Sequence, residues 1–315
     1  MVVGRYAPSP TGFMHYGNAA AALASWLDVR ARGGKWLLRI EDLDTERCRP
    51  EYIEALKRDI HWMGLEWDHS EPIFVQSERH KVYEEALATL ERQGLTYHCF
   101  CTRAQLSAIA SAPQEGDGND TTKYRANPCE LLSCSQIFKN QQEGRRSSVR
   151  LKLPDIVDDF EDIHFGWQSA SLREAMGTDP ILRRSDGMWA YQLAVSVDDA
   201  LQGVNLVTRG VDLMPSAHVQ RYIINSLGYE VPRYAHIPLL MGLDGMRLAK
   251  RNGGNGKYTI MYAREEERLE PMQFIARILS IMGVITPEID SLSLDEAIDF
   301  WSRHPFDANR GVSVI

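Results

Sequence analysis

The opening of the chain constrains its fold more than any other stretch. Residues 2–6 form a short apolar run and residues 19–31 are rich in helix formers. "KWLLRIEDLD" then returns to an apolar run, residues 36–40, that closes on Glu41, Asp42 and Asp44. Strand, helix, strand in this order is the crossover that builds parallel sheets. Ligands of such sheets sit beyond the strand C-termini, so residues 5–17 and Glu41 are expected around one crevice. Between the first strand and the helix lies "APSPTGFMHYGN", with two prolines and a glycine within residues 7–12. It delivers His15 and Gly17 to the helix start, with Asn18 as the expected N-cap and Gly33-Gly34 as the stop. Free N–H groups and the helix dipole favour phosphate there. His15 adds a donor, and Gly17 lets a flat base approach. Taken alone, the loop also fits an ordinary strand-to-helix connection carrying a surface histidine.

Two amphipathic helices should follow, in "PEYIEALKRDIHWMGLEWD" and "SERHKVYEEALATLERQGL", each closed by a glycine, Gly64 and Gly94. From Tyr97 the patterning is short and mixed, with a polar loop "SAPQEGDGNDTTK", as in an inserted subdomain. Sheet character returns at Trp189: "WAYQLAVSVDDALQG" reads as an apolar strand ending in Asp198-Asp199, and "VNLVTRGVDL" as another. Ser216 is expected to cap a helix that stops at Gly228, and "REEERLEPMQFIARILSIMG" and "SLDEAIDFW" read as helical. Acidic residues at strand ends serve mostly as caps and ion-pair partners, so Asp42, Asp44, Asp198 and Asp199 are not taken as metal ligands.

A chain of 315 residues has room for one large core plus an insertion. The net charge of -8 argues against a DNA binder, although residues 261–315, with five Lys/Arg and ten Asp/Glu, carry most of the deficit. "GRRSSVRLK" and "LRR" remain available for phosphates. No window approaches the roughly 18 apolar residues of a membrane span. The N-terminus lacks a secretory pattern. A cytoplasmic protein without membrane partners is the expectation.

The second chemical motif is "GMRLAKRNGG", residues 245–254. There Lys250, beside Arg247 and Arg251, lies in a glycine-flanked loop suited to closing on a polyphosphate. A solvated basic turn would look the same in isolation. The two motifs together resemble the signatures of class I aminoacyl-tRNA synthetases: "HYGN" stands at its His-x-Gly-His element and "RLAKR" at its Lys-Met-Ser-Lys-Ser. "RYAPSPTGFMHYGN", "LLRIEDLD", "YQLAVSVDD", "LVTRGVDL" and "RLAKR", in order over residues 5–251, narrow the resemblance to the glutamyl-tRNA synthetase lineage. Ala249 replaces the usual serine and Asn18 the second histidine. The "CFC" at Cys99–Cys101 and the short stretch after Lys250, residues 251–315, are similar to the short paralogues that attach glutamate to queuosine in the anticodon of tRNA-Asp.

The resemblance implies an α/β, Rossmann-like parallel-sheet catalytic domain over residues 1–96 and 190–255. It implies an inserted zinc-bearing acceptor-type subdomain over 97–189, and a helical C-terminal segment over 256–315 without a full anticodon-binding domain. It also implies ATP-dependent activation of L-glutamate to glutamyl-adenylate, with Mg²⁺ on the ATP, and transfer to queuosine of tRNA-Asp. A truncated glutamyl-tRNA synthetase-like ligase with another acceptor, and a catalytically silent tRNA-binding paralogue, stay open as alternatives. Arg5, Ala7, Ser9, Glu41, Tyr191 and Arg209 would line the glutamate pocket. Glu41 would hold the ammonium, and Arg5 and Arg209 the carboxylates. Core packing for Tyr191 and an ion pair with Asp212 for Arg209 are the plainer readings of those two residues. His15 and Lys250 would contact ATP phosphates, with Gly17 against the nucleotide.

A Cys-x-Cys pair in a reducing compartment is a natural half of a tetrahedral metal site. The family completes it with a tyrosine and a third cysteine. Tyr124 and Cys129 are the candidates, with four residues between them where three are expected, and Cys134 is a rival fourth ligand. A decayed site of free thiols fits the departure too. With every position a protein ligand, one such zinc ion would be structural.

Overall fold

A computed structural model describes residues 1–102, 104–106, 127–241, 256–303 and 312–313. β1 (Val3–Tyr6) and β2 (Lys35–Ile40) pair in parallel, Val3 opposite Lys35 and Tyr6 opposite Leu38, and α1 (Tyr16–Arg30) crosses between them. The expected crossover is present. Alanines at 19, 20, 22 and 24, all buried, let α1 lie close on the sheet. A Cβ on Gly4 would meet Cγ2 of Val29 at 2.4 Å, so only glycine permits this approach. The helix starts earlier than Asn18 implies. His15 occupies the N-cap position, and its carbonyl accepts from the N–H groups of Asn18 and Ala19. Gly17 therefore sits in the first turn.

α2 (Pro50–Trp62), β3 (Phe74–Val75) and α3 (His80–Arg92) follow. Gly64 and Gly94 end the two helices with φ of 73° and 72°, in the left-handed region where glycine is unstrained. Next come β4 (Thr96–Cys99), α4 (Cys134–Gln142), β5 (Ser148–Leu151), β6 (Val157–Asp162), β7 (Gly166–Ser171), α5 (Leu172–Met176) and β8 (Ile181–Arg183). β4, β5 and β8 form their own antiparallel sheet, whereas the β6–β7 hairpin joins the sheet that contains β1.

The stretch from Trp189 departs from expectation: α6 (Tyr191–Leu201) is a helix, not a strand. Residues 193–199 are buried without a break, and such a run looks the same from sequence whether a strand or a helix buries it; at 11 residues it exceeds an ordinary strand. β9 (Leu206–Gly210), α7 (Met214–Ser226) and β10 (Arg233–Ile237) complete the centre. Ser216 lies inside α7 rather than at its cap, because Pro215 opens the helix behind Leu213. The Ser216 hydroxyl accepts instead from Gln192 Nε2 at 2.9 Å.

The seven-stranded sheet runs β3-β2-β1-β9-β10-β6-β7. All neighbours are parallel except β6 and β7. The chain leaves β1 for β2 on one side, while β9 flanks β1 on the other. That makes the β1–β9 boundary a topological switch point. β11 (Leu240–Met241) precedes α8 (Ile260–Glu265), α9 (Pro271–Ile281), α10 (Leu294–Arg303) and β12 (Val312–Ser313), which pairs back onto β11. The expected single helical stretch after Arg264 is broken at Arg268, with φ of 55°, and restarts at Pro271. α9 and α10 cover the outer face of α1, where Phe274 and Ile278 are fully buried and Trp301 Nε1 donates to Asp28 at 3.0 Å. Among the described residues no helix is long and apolar enough to cross a membrane.

Candidate active site

The C-terminal ends of β1, β2, β9 and β10 open onto a cleft of about 680 Å³. Arg5, Ala7, Ser9, Glu41, Tyr191 and Arg209 all line it, and so do His15 and Gly17. The proline-stiffened loop is held at both ends. Pro8 O accepts from Glu41 N at 3.0 Å, and Met14 O accepts from Ile260 N at 3.0 Å. His15 forms a β-bridge with Thr259, and Tyr16 N donates to Tyr258 O at 2.8 Å. The N-terminus of α1 thus faces the cleft with its first turn fixed, the geometry that attracts an anion.

A buried ionic cluster supports the amino-acid side of the cleft. Asp199 accepts from Arg5 Nε at 2.9 Å and pairs with Arg39 Nη2 at 2.7 Å. Arg39, fully buried, also reaches Glu41 at 3.3 Å and Gln202 at 2.8 Å. Two guanidiniums and two carboxylates therefore balance, with Arg5 and Glu41 on the cleft wall and Arg39 and Asp199 behind them. Burial holds the Glu41 carboxyl above its ordinary value, offset in part by Arg39 and Arg5. Burial also opposes ionisation of Asp199, but Arg39 and Arg5 outweigh it and hold that carboxyl low.

Arg209 is fixed along several edges: Nε donates to His236 Nε2 at 3.2 Å, Nη1 to Gln220 at 2.6 Å and to the Tyr191 hydroxyl at 3.5 Å, and Nη2 to Leu213 O at 3.0 Å. The remaining aspartates act as caps and ion-pair partners, as their positions suggest. Asp198 accepts from Gln76, Arg79 and Tyr83, Asp42 from the backbone and hydroxyl of Ser77, and Asp44 from Arg47.

This cleft, at a switch point and between an anion-ready helix end and paired arginines, has a counterpart among known proteins. The family described as tRNA synthetases class I (E and Q), catalytic domain, matches residues 1–298. The chain belongs to that family. It is a ligase of the class I aminoacyl-tRNA synthetase type. The chain is 45% identical over 258 residues to the glutamyl-Q tRNA(Asp) synthetase of Nitratidesulfovibrio vulgaris, covering 80% of this chain and 78% of the relative. It is 40% identical over 281 residues to the protein of that name from Nocardia farcinica, covering 89% and 85%. Among solved structures it resembles a glutamate tRNA ligase from Elizabethkingia meningosepticum in complex with its amino acid. The TM-score is 0.78 at 27% identity, and the match covers 99% of this chain but 66% of that one.

In this synthetase-family chain the cysteines gather as a metal site would require. The sulfurs of Cys99, Cys101 and Cys129 lie within 4.8 Å of one another. Asn127 Nδ2 donates to Cys99 Sγ at 3.3 Å. Burial opposes the Cys99 thiolate, but the Cys101 backbone N–H, Asn127 and Arg150 outweigh it and hold that thiol below its usual value. Burial, then the Cys129 and Cys99 sulfurs, push Cys101 up to about 12. Three sulfur atoms this close, one of them with donors aimed at it, make a donor set suited to a thiophilic cation. Cys134, at the exposed start of α4, is not a member of the cluster. Tyr124 and Lys250 lie outside the described residues.

Sequence reasoning missed Arg39, Gln220, His236 and Asp162. Arg39 carried a usable signal, a charge inside the apolar run "LLRI", because a buried guanidinium demands partners.

Proposed function

We propose that this ligase uses ATP to convert L-glutamate to glutamyl-adenylate and transfers the glutamyl group to queuosine in the anticodon of tRNA-Asp. The observation that carries the first half is the convergence of Arg5, Glu41, Tyr191 and Arg209, which are far apart in the chain, on one cleft beside the N-terminus of α1. Two cations and an acid match a substrate with two carboxylates and an ammonium. The second half is supported by the names of the relatives at 40–45% identity. A chamber of about 330 Å³ shares Ser9, Glu41 and Tyr191 with the cleft and is walled by Ile181, Met188 and Trp189, which gives an acceptor a way in.

In the first step an oxygen of the glutamate α-carboxylate bonds to the α-phosphorus of ATP as the bond to pyrophosphate breaks. Arg5 and Arg209 orient the carboxylates, Glu41 the ammonium, and His15 and the α1 N-terminus the phosphates. Mg²⁺ accompanies the ATP. In the second step a hydroxyl of the queuosine ring attacks the adenylate carbonyl, AMP leaves, and its phosphate takes the proton. Lys250 belongs to the nucleotide side in this reading. Leu240 lines the cleft, and Thr259 bridges to His15, which also lines it. Lys250→Ala is expected to slow glutamate-dependent pyrophosphate exchange about 100-fold, with glutamate binding, measured by calorimetry, preserved.

Transfer of labelled glutamate to tRNA-Asp with and without queuosine, and to tRNA-Glu, tests the whole reading. Labelling only of queuosine-bearing tRNA-Asp is the expected result, and labelling of tRNA-Glu alone overturns it. Pyrophosphate exchange without tRNA separates an enzyme from a silent tRNA binder. The reaction is assigned to the cytoplasm.

Cys99, Cys101 and Cys129, with Tyr124 as fourth ligand, would hold one zinc ion that crosslinks the β4 end to the segment around Cys129. Elemental analysis is expected to find about one zinc per chain. Cys101→Ser and Tyr124→Phe should lower that content, and Cys134→Ser should leave it unchanged. Purified protein without stoichiometric metal would remove the site.

A further inference from the structure

Behind Arg209 lies a second buried chain of hydrogen bonds, built from a strand that joins the sheet from outside the β1–β9 core. Asp162, at the end of β6, is 1% exposed and His236, on β10, is 0% exposed. Asp162 Oδ2 lies 2.7 Å from His236 Nδ1, and His236 Nε2 lies 3.2 Å from Arg209 Nε. An arginine Nε–H can only donate, so His236 Nε2 must offer its lone pair. Asp162 Oδ1 accepts from the backbone N–H groups of His164 and Phe165, each at 3.0 Å, and the carboxylate also takes the N–H of His236. An acceptor so placed requires a proton on His236 Nδ1. One neutral tautomer satisfies both ends.

We infer that Asp162 and His236 are positioning residues that hold Arg209 in the orientation in which it reads a glutamate carboxylate, by fixing which ring nitrogen of His236 carries the proton. The inference rests on the assignment of Arg209 to glutamate. The charges facing the ring are of both signs: Arg209 approaches from β9, Asp212 from the turn after β9 and Asp162 from β6, while Tyr234 on β10 stacks at 6.0 Å. Burial above all, helped by the Arg209 charge, holds His236 below its ordinary value, against the pull of Asp162 and Asp212. An imidazolium would set N–H against N–H and cation against cation. Gln220, the Tyr191 hydroxyl and Leu213 O take three more of the five N–H groups, which leaves one on Nη2 for the cleft that Arg209 lines. Such a pre-set fork spares the substrate the cost of ordering it.

Asp162→Asn tests the relay. Backbone donors at the Oδ1 position keep the amide oxygen there, which turns the NH₂ toward His236 Nδ1 and forces the proton onto Nε2, against Arg209. Nitrogen-15 NMR of the histidine ring, assigned with a His236→Gln sample, should report Nδ1–H in the native protein and Nε2–H in Asp162→Asn. In tRNA-free pyrophosphate exchange, KM for glutamate should rise roughly 10- to 100-fold, with KM for ATP within about twofold. His236→Gln, which can present an oxygen to Arg209, should retain most glutamate affinity, whereas His236→Phe should lose as much as Asp162→Asn. This pair decides the matter if Asp162→Asn fails to fold. A switched tautomer with unchanged KM for glutamate overturns the relay, as does an equal rise of both KM values. If Arg209→Ala itself leaves KM for glutamate unchanged, the assignment of Arg209 falls and the relay with it; if Arg209→Ala raises it and Asp162→Asn does not, only the relay falls.

Discussion

Asp199→Ala is expected to lower folding stability by about 3–5 kcal/mol, because it strands two guanidiniums that are otherwise paired in the interior. Arg5 and Arg39 are 4% and 0% exposed, so water cannot replace the lost carboxylate. A melting temperature lower by roughly 6–15 °C would be read by calorimetry. The function should suffer separately from the fold. Without Asp199, Glu41, 3.3 Å away, is the carboxylate still bonded to Arg39 beside the neutral Gln202, and in the proposed reading Arg39 then competes with the substrate ammonium for it. Arg5, whose Nε and Nη2 both donate to Asp199, loses its orientation. Asp199→Asn keeps the shape but not the charge, so it should fold better than the alanine variant while still raising KM for glutamate. A variant with native stability and native KM would mean the cluster is spectator to both.

That cluster marks where the sequence was legible and where it was not. Chain order implied a parallel sheet with residues 5–17 and Glu41 around its crevice, whereas Tyr191 and Arg209 could be named only because their motifs resemble the glutamyl-tRNA synthetase lineage. The residues behind them could not be named. Asp162 and His236 are 74 positions apart, and Arg39 and Gln202 are 163 apart, so nothing local names the partner in either contact, even where Arg39 inside "LLRI" signals that it needs one. Composition even pointed away from them, since a histidine in "RYAHI" looks like any strand residue. The misread element, α6, shows a related limit. Burial on all sides erases the period that separates helix from strand, and Asp198 and Asp199 within it looked like an end because buried charge is rare. Both aspartates are interior, and each is buried because arginines come to it, Arg79 for one and Arg5 with Arg39 for the other. The hairpin of β6 and β7 was illegible for another reason. It lies in sequence between strands of the small sheet, yet it pairs with β10, a choice made by tertiary packing rather than by local pattern.

Arg209→Ala is expected to reduce kcat/KM for glutamate in tRNA-free pyrophosphate exchange by about three orders of magnitude, equivalent to ~4 kcal/mol of lost binding to a charged partner in a buried setting. Arg209 is 6% exposed, and in the proposed reading its loss removes a carboxylate contact while leaving the Gln220 oxygen, Leu213 O and the His236 lone pair without this donor. KM for ATP should change little, because the proposed reading sets the nucleotide against His15 and the N-terminus of α1 rather than against Arg209. Arg209→Lys should recover little of the loss. An ammonium on a flexible stem, with three N–H groups, cannot meet His236, Gln220 and Leu213 O along three edges and still present an N–H to a carboxylate. The split between the two KM values is what gives the experiment its force. A general collapse of the site would raise both, whereas loss of one carboxylate reader raises only that for glutamate. A reduction of less than tenfold would place the reading of that carboxylate elsewhere, with Arg5 and Arg47 the other arginines that line the cleft.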